Sequence, residues 1–279
     1  MKKLFLGALA LMIGAIGFAQ NTGTVTQTGS NNTGDVTQTG SNNTGTITTL
    51  GNLHKDNVTK WGNWTTVGAS GTMLAKGITQ IGNSNVGSID QVGYNGVVSG
   101  TSSAGIGQNG DSNNATITQH DLTVHTWSAS NAAFVDQIGN GNTSLQNQTG
   151  RAATSYFRQK GNDNKAESQQ SDQSHAKAEQ VGDRNTSYQK QAGGSYNGSS
   201  SDIFQKGDDN YASSDQFGKS NTTTITQDGN SNNRGYWTGM GDPTVKQVGN
   251  DNSATFTQTG DFNNEKMYQD GNRNTAILE

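Results

Sequence analysis

The chain has no cysteine, so neither disulfides nor thiolate metal sites hold it together. It has one proline, Pro243, a scarcity that suits stacked strands in which nearly every backbone donor is needed. Apolar residues make up 28% of the 279 and aromatics 7%, far below an ordinary globular domain. No basic tract exists. Eighteen Lys and Arg face 22 Asp and Glu, which argues against a nucleic-acid partner. His54, His120, His125 and His175 do not recur in phase with acids. With no nucleophile elbow, phosphate loop or zinc spacing, the sequence argues against an enzyme and offers no cofactor site. Gly207-Asp208-Asp209-Asn210 resembles calcium-ligand material, but the Gly-Gly-x-Gly-x-Asp repeat is missing.

Only one long apolar run is present, Leu4 to Phe18. Lys2 and Lys3 precede it, and Gly17-Phe18-Ala19 supplies small residues before Gln20. Residues 1–19 are therefore expected to be a secretory signal peptide, and 20–279 a single repeat array.

What the chain does have is a glutamine that returns every eleven residues, commonly followed two places on by glycine. The series runs Gln27, Gln38, Gln80, Gln91, Gln108, Gln119, Gln137, Gln148, Gln159, Gln170, Gln180, Gln191, Gln205, Gln216, Gln227, Gln247, Gln258 and Gln269. Five places later stands asparagine: Asn32, Asn43, Asn85, Asn113, Asn142, Asn164, Asn185, Asn210, Asn221, Asn232, Asn252, Asn263 and Asn274. The Gly, Asn, Gln, Ser and Thr richness alone would admit disorder. A fixed phase argues against it and for an internal repeat.

With the glutamine at place 0, places +5, +7, +9 and the next glutamine at +11 are two apart, the period of a strand, and share one face. Place +7 is small, as in Gly45, Ala115 and Ala254, and +9 is often apolar, as in Ile47, Ile117 and Phe256. Intervening places carry Thr, Ser and charges, which face water. Glycine at +2 with Ser, Asn or Asp beside it makes a turn. An inward row of amides is tolerable only if identical amides stack and satisfy one another, which parallel stacking supplies.

Filling the imperfect places with Thr49, Lys60, Gln119, Gln170 and Thr238 pairs the units as 27 with 38, 49 with 60, 80 with 91, and so on to 247 with 258. Steps inside a pair are all eleven, while steps between pairs range from 9 to 20. The true repeat is thus 22 residues, with one constant and one variable turn. This predicts an all-β fold, a two-sheet parallel β-solenoid (a cross-β stack) of about ten coils. Insertions such as Trp64 to Gly77 and Thr123 to Ser130 should leave from one edge. One sheet should stay apolar at its inward place. The other should turn polar in its middle, at Gln146, Ser168, Gln189 and Ser214.

The segment Gln247-Val248-Gly249-Asn250-Asp251-Asn252-Ser253-Ala254-Thr255-Phe256-Thr257-Gln258 carries the pattern Gln-x-Gly-x-x-Asn-x-Ala-x-x-x-Gln. Segments 108–119, 159–170 and 205–216 carry it too. In this the chain resembles the curlin family, subunits of bacterial curli amyloid fibres. The resemblance implies secretion across the outer membrane through a channel, self-association end to end with related subunits, and an adhesive or biofilm role at the cell surface. It also implies that the Gln and Asn series are core ladders. The alternatives are a monomeric secreted adhesin or an ice-binding solenoid. Rows such as Thr24-Val25-Thr26 favour the latter, but the rows break at Asp35, Ser88, Asp90 and Glu167.

Overall fold

A computed structural model describes residues 20–28, 34–50, 77–92, 103–120, 131–150, 152–192, 198–233 and 244–279. The expected signal peptide, 1–19, lies outside them. The described residues form two ten-stranded parallel sheets and no helix. Sheet one runs β1 (Thr22–Thr28), β3 (Thr44–Leu50), β5 (Val86–Val92), β7 (Asn114–His120), β9 (Thr143–Thr149), β11 (Lys165–Gln170), β13 (Thr186–Ala192), β15 (Tyr211–Phe217), β17 (Val245–Val248) and β19 (Met267–Asp270). Sheet two runs β2 (Val36–Thr39), β4 (Ile78–Ile81), β6 (Ser103–Asn109), β8 (Ala132–Ile138), β10 (Thr154–Lys160), β12 (His175–Val181), β14 (Ser200–Lys206), β16 (Thr222–Asp228), β18 (Ser253–Thr259) and β20 (Thr275–Leu278). The chain alternates between the sheets at every strand, which makes a two-sheet solenoid. Each strand pairs with the strand two elements away, glutamine place on glutamine place, as Gln137 on Gln159 and Gln119 on Gln148.

Local sequence explains each element. Strands such as Thr-Thr-Thr-Ile-Thr-Gln-Asp in β16 alternate buried and water-facing residues. After the glutamine, the glycine at +2 takes φ between +94° and +135° wherever it is described. A side chain there would meet the next rung: a Cβ on Gly161 would land on the Gly182 carbonyl oxygen. The +4 residue sits at φ near +57°, the left-handed region that Asn, Asp and Ser tolerate best, as at Asn42, Ser112 and Asp163.

Two expected rungs are absent. Val36 pairs directly with Ile78 and Ile47 directly with Ile89, so no rung is stacked between these strands in either sheet. Likewise β15 pairs with β17 and β16 with β18, with no rung at Thr238. Lys60 and Thr238 themselves lie outside the described residues. Removing them shifts Gln27 and Thr49 into the sheet of Gln91, and Gln247 and Gln269 into the sheet of Gln216. The inward column of sheet two is then apolar throughout: Val36, Ile78, Ile106, Val135, Phe157, Ala178, Ile203, Ile225, Phe256 and Leu278. Sheet one is apolar at both ends and polar at Gln146, Ser168, Gln189 and Ser214, as expected. The buried core follows suit: apolar clusters at each end, joined by a small one of Phe157, Ala166 and Ala178.

The variable turns run from sheet one to sheet two, as anticipated, with one exception. The step of 20 from Gln227 to Gln247 lies on the opposite edge. There Asn232 and Asn233 still begin a rung, through Tyr211 N–H to Asn232 O (2.9 Å) and Asn233 N–H to Asn263 O (2.6 Å). The chain rejoins the same rung at Thr244.

Candidate assembly site

The glutamines form two one-way ladders. In sheet two, each Nε2–H donates to the Oε1 of the next rung, from Gln38 through Gln80, Gln108, Gln137, Gln159, Gln180, Gln205 and Gln227 to Gln258, at 2.7–3.0 Å. In sheet one the ladder runs from Gln91 through Gln119, Gln148, Gln170, Gln191, Gln216 and Gln247 to Gln269, at 2.7–3.2 Å. The second N–H of most of these amides does other work, and Gln258 instead donates to Asn233 Oδ1 (3.1 Å). That second N–H crosses the core to a backbone carbonyl that opens the facing strand, as Gln137 to Asn114 O (3.1 Å) and Gln148 to Ala132 O (3.0 Å). One side chain therefore ties successive rungs together and ties the two sheets together. No apolar residue does both, and a shorter amide would not span the core.

The asparagines do a matching task at the edges. Within the stack most accept the backbone N–H of the next asparagine on Oδ1 and donate Nδ2–H to the next rung's glycine carbonyl; Asn232 Nδ2 is an exception, buried without a partner. Asn142, for example, accepts from Asn164 N–H (3.1 Å) and donates to Gly161 O (2.8 Å). On the edge leading from sheet two to sheet one this ladder joins Asn43, Asn85, Asn113, Asn142, Asn164, Asn185, Asn210, Asn232 and Asn263. The other edge has Asn221, Asn252 and Asn274 in series, with Ser199 accepting from Asn221 N–H in place of an amide.

Of the expected ladder residues, Asn32 lies outside the described residues, and Gln27 stands exposed on the first rung. From Gln80 onward the glutamines are all buried. Three contributors escaped a count made forward from each glutamine. Asn21 accepts from Asn43 N–H (3.0 Å), and Asn131 accepts from Ala153 N–H (2.9 Å). Both stand six places before a glutamine, so counting backward finds them. The third is a ladder at +3, where Asn or Asp Oδ1 accepts the preceding rung's turn N–H: Asn83, Asp111, Asn140, Asn162, Asp183, Asp208, Asn230 and Asp261, at 2.7–3.0 Å. Thr49 does the opposite. It is too short to donate to Gln91, and the Thr49 hydroxyl and Gln91 Oε1 are left buried without partners.

The outer faces carry charge in columns of alternating sign. Arg158 lies between Asp136 (3.7 Å) and Glu179 (3.8 Å) on the rungs either side. Lys206 meets Asp228 at 3.0 Å and Arg184 grips Asp209 through two bonds of 2.9 Å. Burial pushes the Asp136 carboxyl up, against the pull of Arg158. Burial first, and then the Asp136 charge, push Tyr156 up to about 12. Two histidines do meet acids on neighbouring rungs, which the sequence pattern did not reveal: His120 beside Asp90 (3.3 Å) and His175 beside Asp202 (3.5 Å). Burial lowers the His175 pKa, with Asp202 opposing the shift. Among the described residues no group of three or more acids and histidines is placed to hold a metal ion.

The features of this chain are thus interlocking amide ladders on a repeated turn. No curated protein matches the chain. The family model described as curlin associated repeat matches residues 19–55 and 197–229. Repeat and solenoid together suggest a structural, non-enzymatic chain. The protein carries curlin associated repeats in two of its regions, consistent with a curlin-family protein.

Proposed function

We propose that this chain is a structural subunit of an extracellular curli-like amyloid fibre. It would be exported through an outer-membrane channel and assembled from copies stacked end to end, with related curlin-type subunits, for surface adhesion and biofilm matrix. The observation that carries the reading is the one-way, repeating geometry of the ladders. Gln269 accepts from Gln247 and donates across the core to Ser253 O (3.0 Å), which leaves its second N–H directed along the stack. A second copy laid with β1 and β2 over β19 and β20 continues the strand pairing of both sheets and the glutamine ladder of sheet one. Val25 meets Met267, Gln27 meets Gln269, and Val36 meets Leu278. Phe262, Tyr268 and Ile277 are 79%, 61% and 65% exposed at that end, apolar surface that such a joint would cover.

The signal-cleaved chain should form fibres visible by electron microscopy, with diffraction spacings near ~4.8 Å and ~10 Å. Labelled antibody should find them outside the cell. A chain that stays a soluble monomer at high concentration for days refutes the reading and leaves the solitary adhesin.

A further inference from the structure

The inward columns carry no address. Every glutamine place fits every other, and every asparagine does the same, so a slip by one whole coil keeps all ladders intact. Apolar shape can mark the coils at each end, where Ile, Val, Phe and Met occupy the inward place. In the middle it does so only on sheet two, through Val135, Phe157 and Ala178. There sheet one presents Gln146, Ser168, Gln189 and Ser214, all buried. Gln146 Oε1, Gln189 Oε1 and the Ser214 hydroxyl have no hydrogen-bond partner. With half of the inward surface polar there, a second determinant is needed to set which coil lies on which.

The charged columns lie over this same region. On sheet two, Asp136, Arg158 and Glu179 are direct cross-strand partners on β8, β10 and β12. Their side chains are only 15–18% exposed, so solvent screens them less than ordinary surface pairs. On sheet one, Lys190, Asp215 and Lys246 are cross-strand partners on β13, β15 and β17. The two lysines also flank the Phe217 ring, at 5.5 and 6.0 Å. In both columns the sign alternates rung by rung.

We infer that these alternating columns are the register determinants of the middle coils, and that they bar two copies from pairing like rung on like rung. Skipping the Arg158 coil brings Asp136 onto Glu179. Skipping the Asp215 coil brings Lys190 onto Lys246. Pairing two copies in register sets Arg158 on Arg158 and Asp136 on Asp136. Each wrong arrangement turns an attraction into a repulsion at one rung spacing, where like charges directly opposite destabilise a sheet. The first strands, β1 and β2, carry threonine outward, so a stacking joint there meets little repulsion. The charges therefore select neighbours without closing the ends.

The inference concerns the folded stack, so it is tested in the unassembled chain, apart from fibre growth. An inverted column, D136R/R158E/E179R, keeps the alternation. A uniform column, D136R/E179R, leaves three arginines in a row. A neutral column, D136N/R158Q/E179Q, has no sign at all. The inverted variant should match the parent in amide exchange over β8, β10 and β12, and the uniform variant should lose about tenfold in protection. The second readout uses the absence of cysteine. With Lys160→Cys in β10 added, like-on-like pairing would bring the Cα atoms of the two introduced cysteines to about 5 Å, within disulfide reach. On refolding at high concentration, the neutral column should yield disulfide-linked dimers well above the parent column. Equal exchange in the uniform and inverted variants, or equal dimer yield in the neutral and parent columns, overturns the inference.

Discussion

Gln137 offers the sharpest test of the ladder. Its Nε2 donates to Gln159 Oε1 (2.9 Å) and to Asn114 O (3.1 Å), and its Oε1 accepts from Gln108 (2.9 Å). Leucine at this place fills most of the space and makes none of these bonds. Three bonds at a net of about 1 kcal/mol each give a loss near ~3 kcal/mol, and Gln159 Oε1 becomes a buried acceptor without a donor, which costs a further ~1–3 kcal/mol. Leucine recovers about 1–2 kcal/mol by burying apolar surface in place of the amide. The net cost is ~2–5 kcal/mol, which is ~30- to ~4,000-fold in a local opening constant. Hydrogen exchange of the freshly prepared chain reads this directly. The amides of β6, β8 and β10 should speed up by that factor, because those rungs share the broken ladder. Thr257→Ser, on the water-facing side of β18, should stay within ~0.5 kcal/mol of the parent. If Gln137→Leu also stays within that margin, the amides are filling space and the ladder is not a source of stability.

Thr49→Gln should restore the missing rung between Gln27 and Gln91, give Gln91 Oε1 a donor and stabilise the chain by ~1–2 kcal/mol in urea denaturation. Gly161→Ala should cost far more than Gly260→Ala. Both take a positive φ, but only the first drives a methyl into the next rung's carbonyl; paired denaturation curves decide between clash and backbone strain. Tyr156 is raised from 10.0 to about 12, so its contribution is complete below pH ~10 and is lost as pH climbs to ~12. About 2–3 kcal/mol should disappear across that window, and Tyr156→Phe should abolish the dependence. His175 is lowered, so its share is complete above pH ~6.5 and is lost on acidification, seen as faster exchange around β12.

Much of this protein was legible in one dimension. Period two within the unit, period 22 between units, and a glycine and an asparagine at fixed offsets identify inward faces, two sheets and amide ladders, because stacked identical rungs impose the same requirement at every turn. The polar stretch from Gln146 to Ser214 could be placed on one sheet for the same reason. What only the tertiary structure decided is which units are rungs at all. Lys60 and Thr238 fit the spacing, yet the backbone pairs Ile47 with Ile89 and Ser214 with Val245 across the gaps. A rung is defined by the neighbours it stacks on, and that pairing is non-local. The same holds for the glutamine bonds across the core, such as Gln148 to Ala132 O, and for Arg158 between Asp136 and Glu179. Those contacts join residues that spacing alone does not connect, and they exist only once two sheets face each other and coils lie in a definite order.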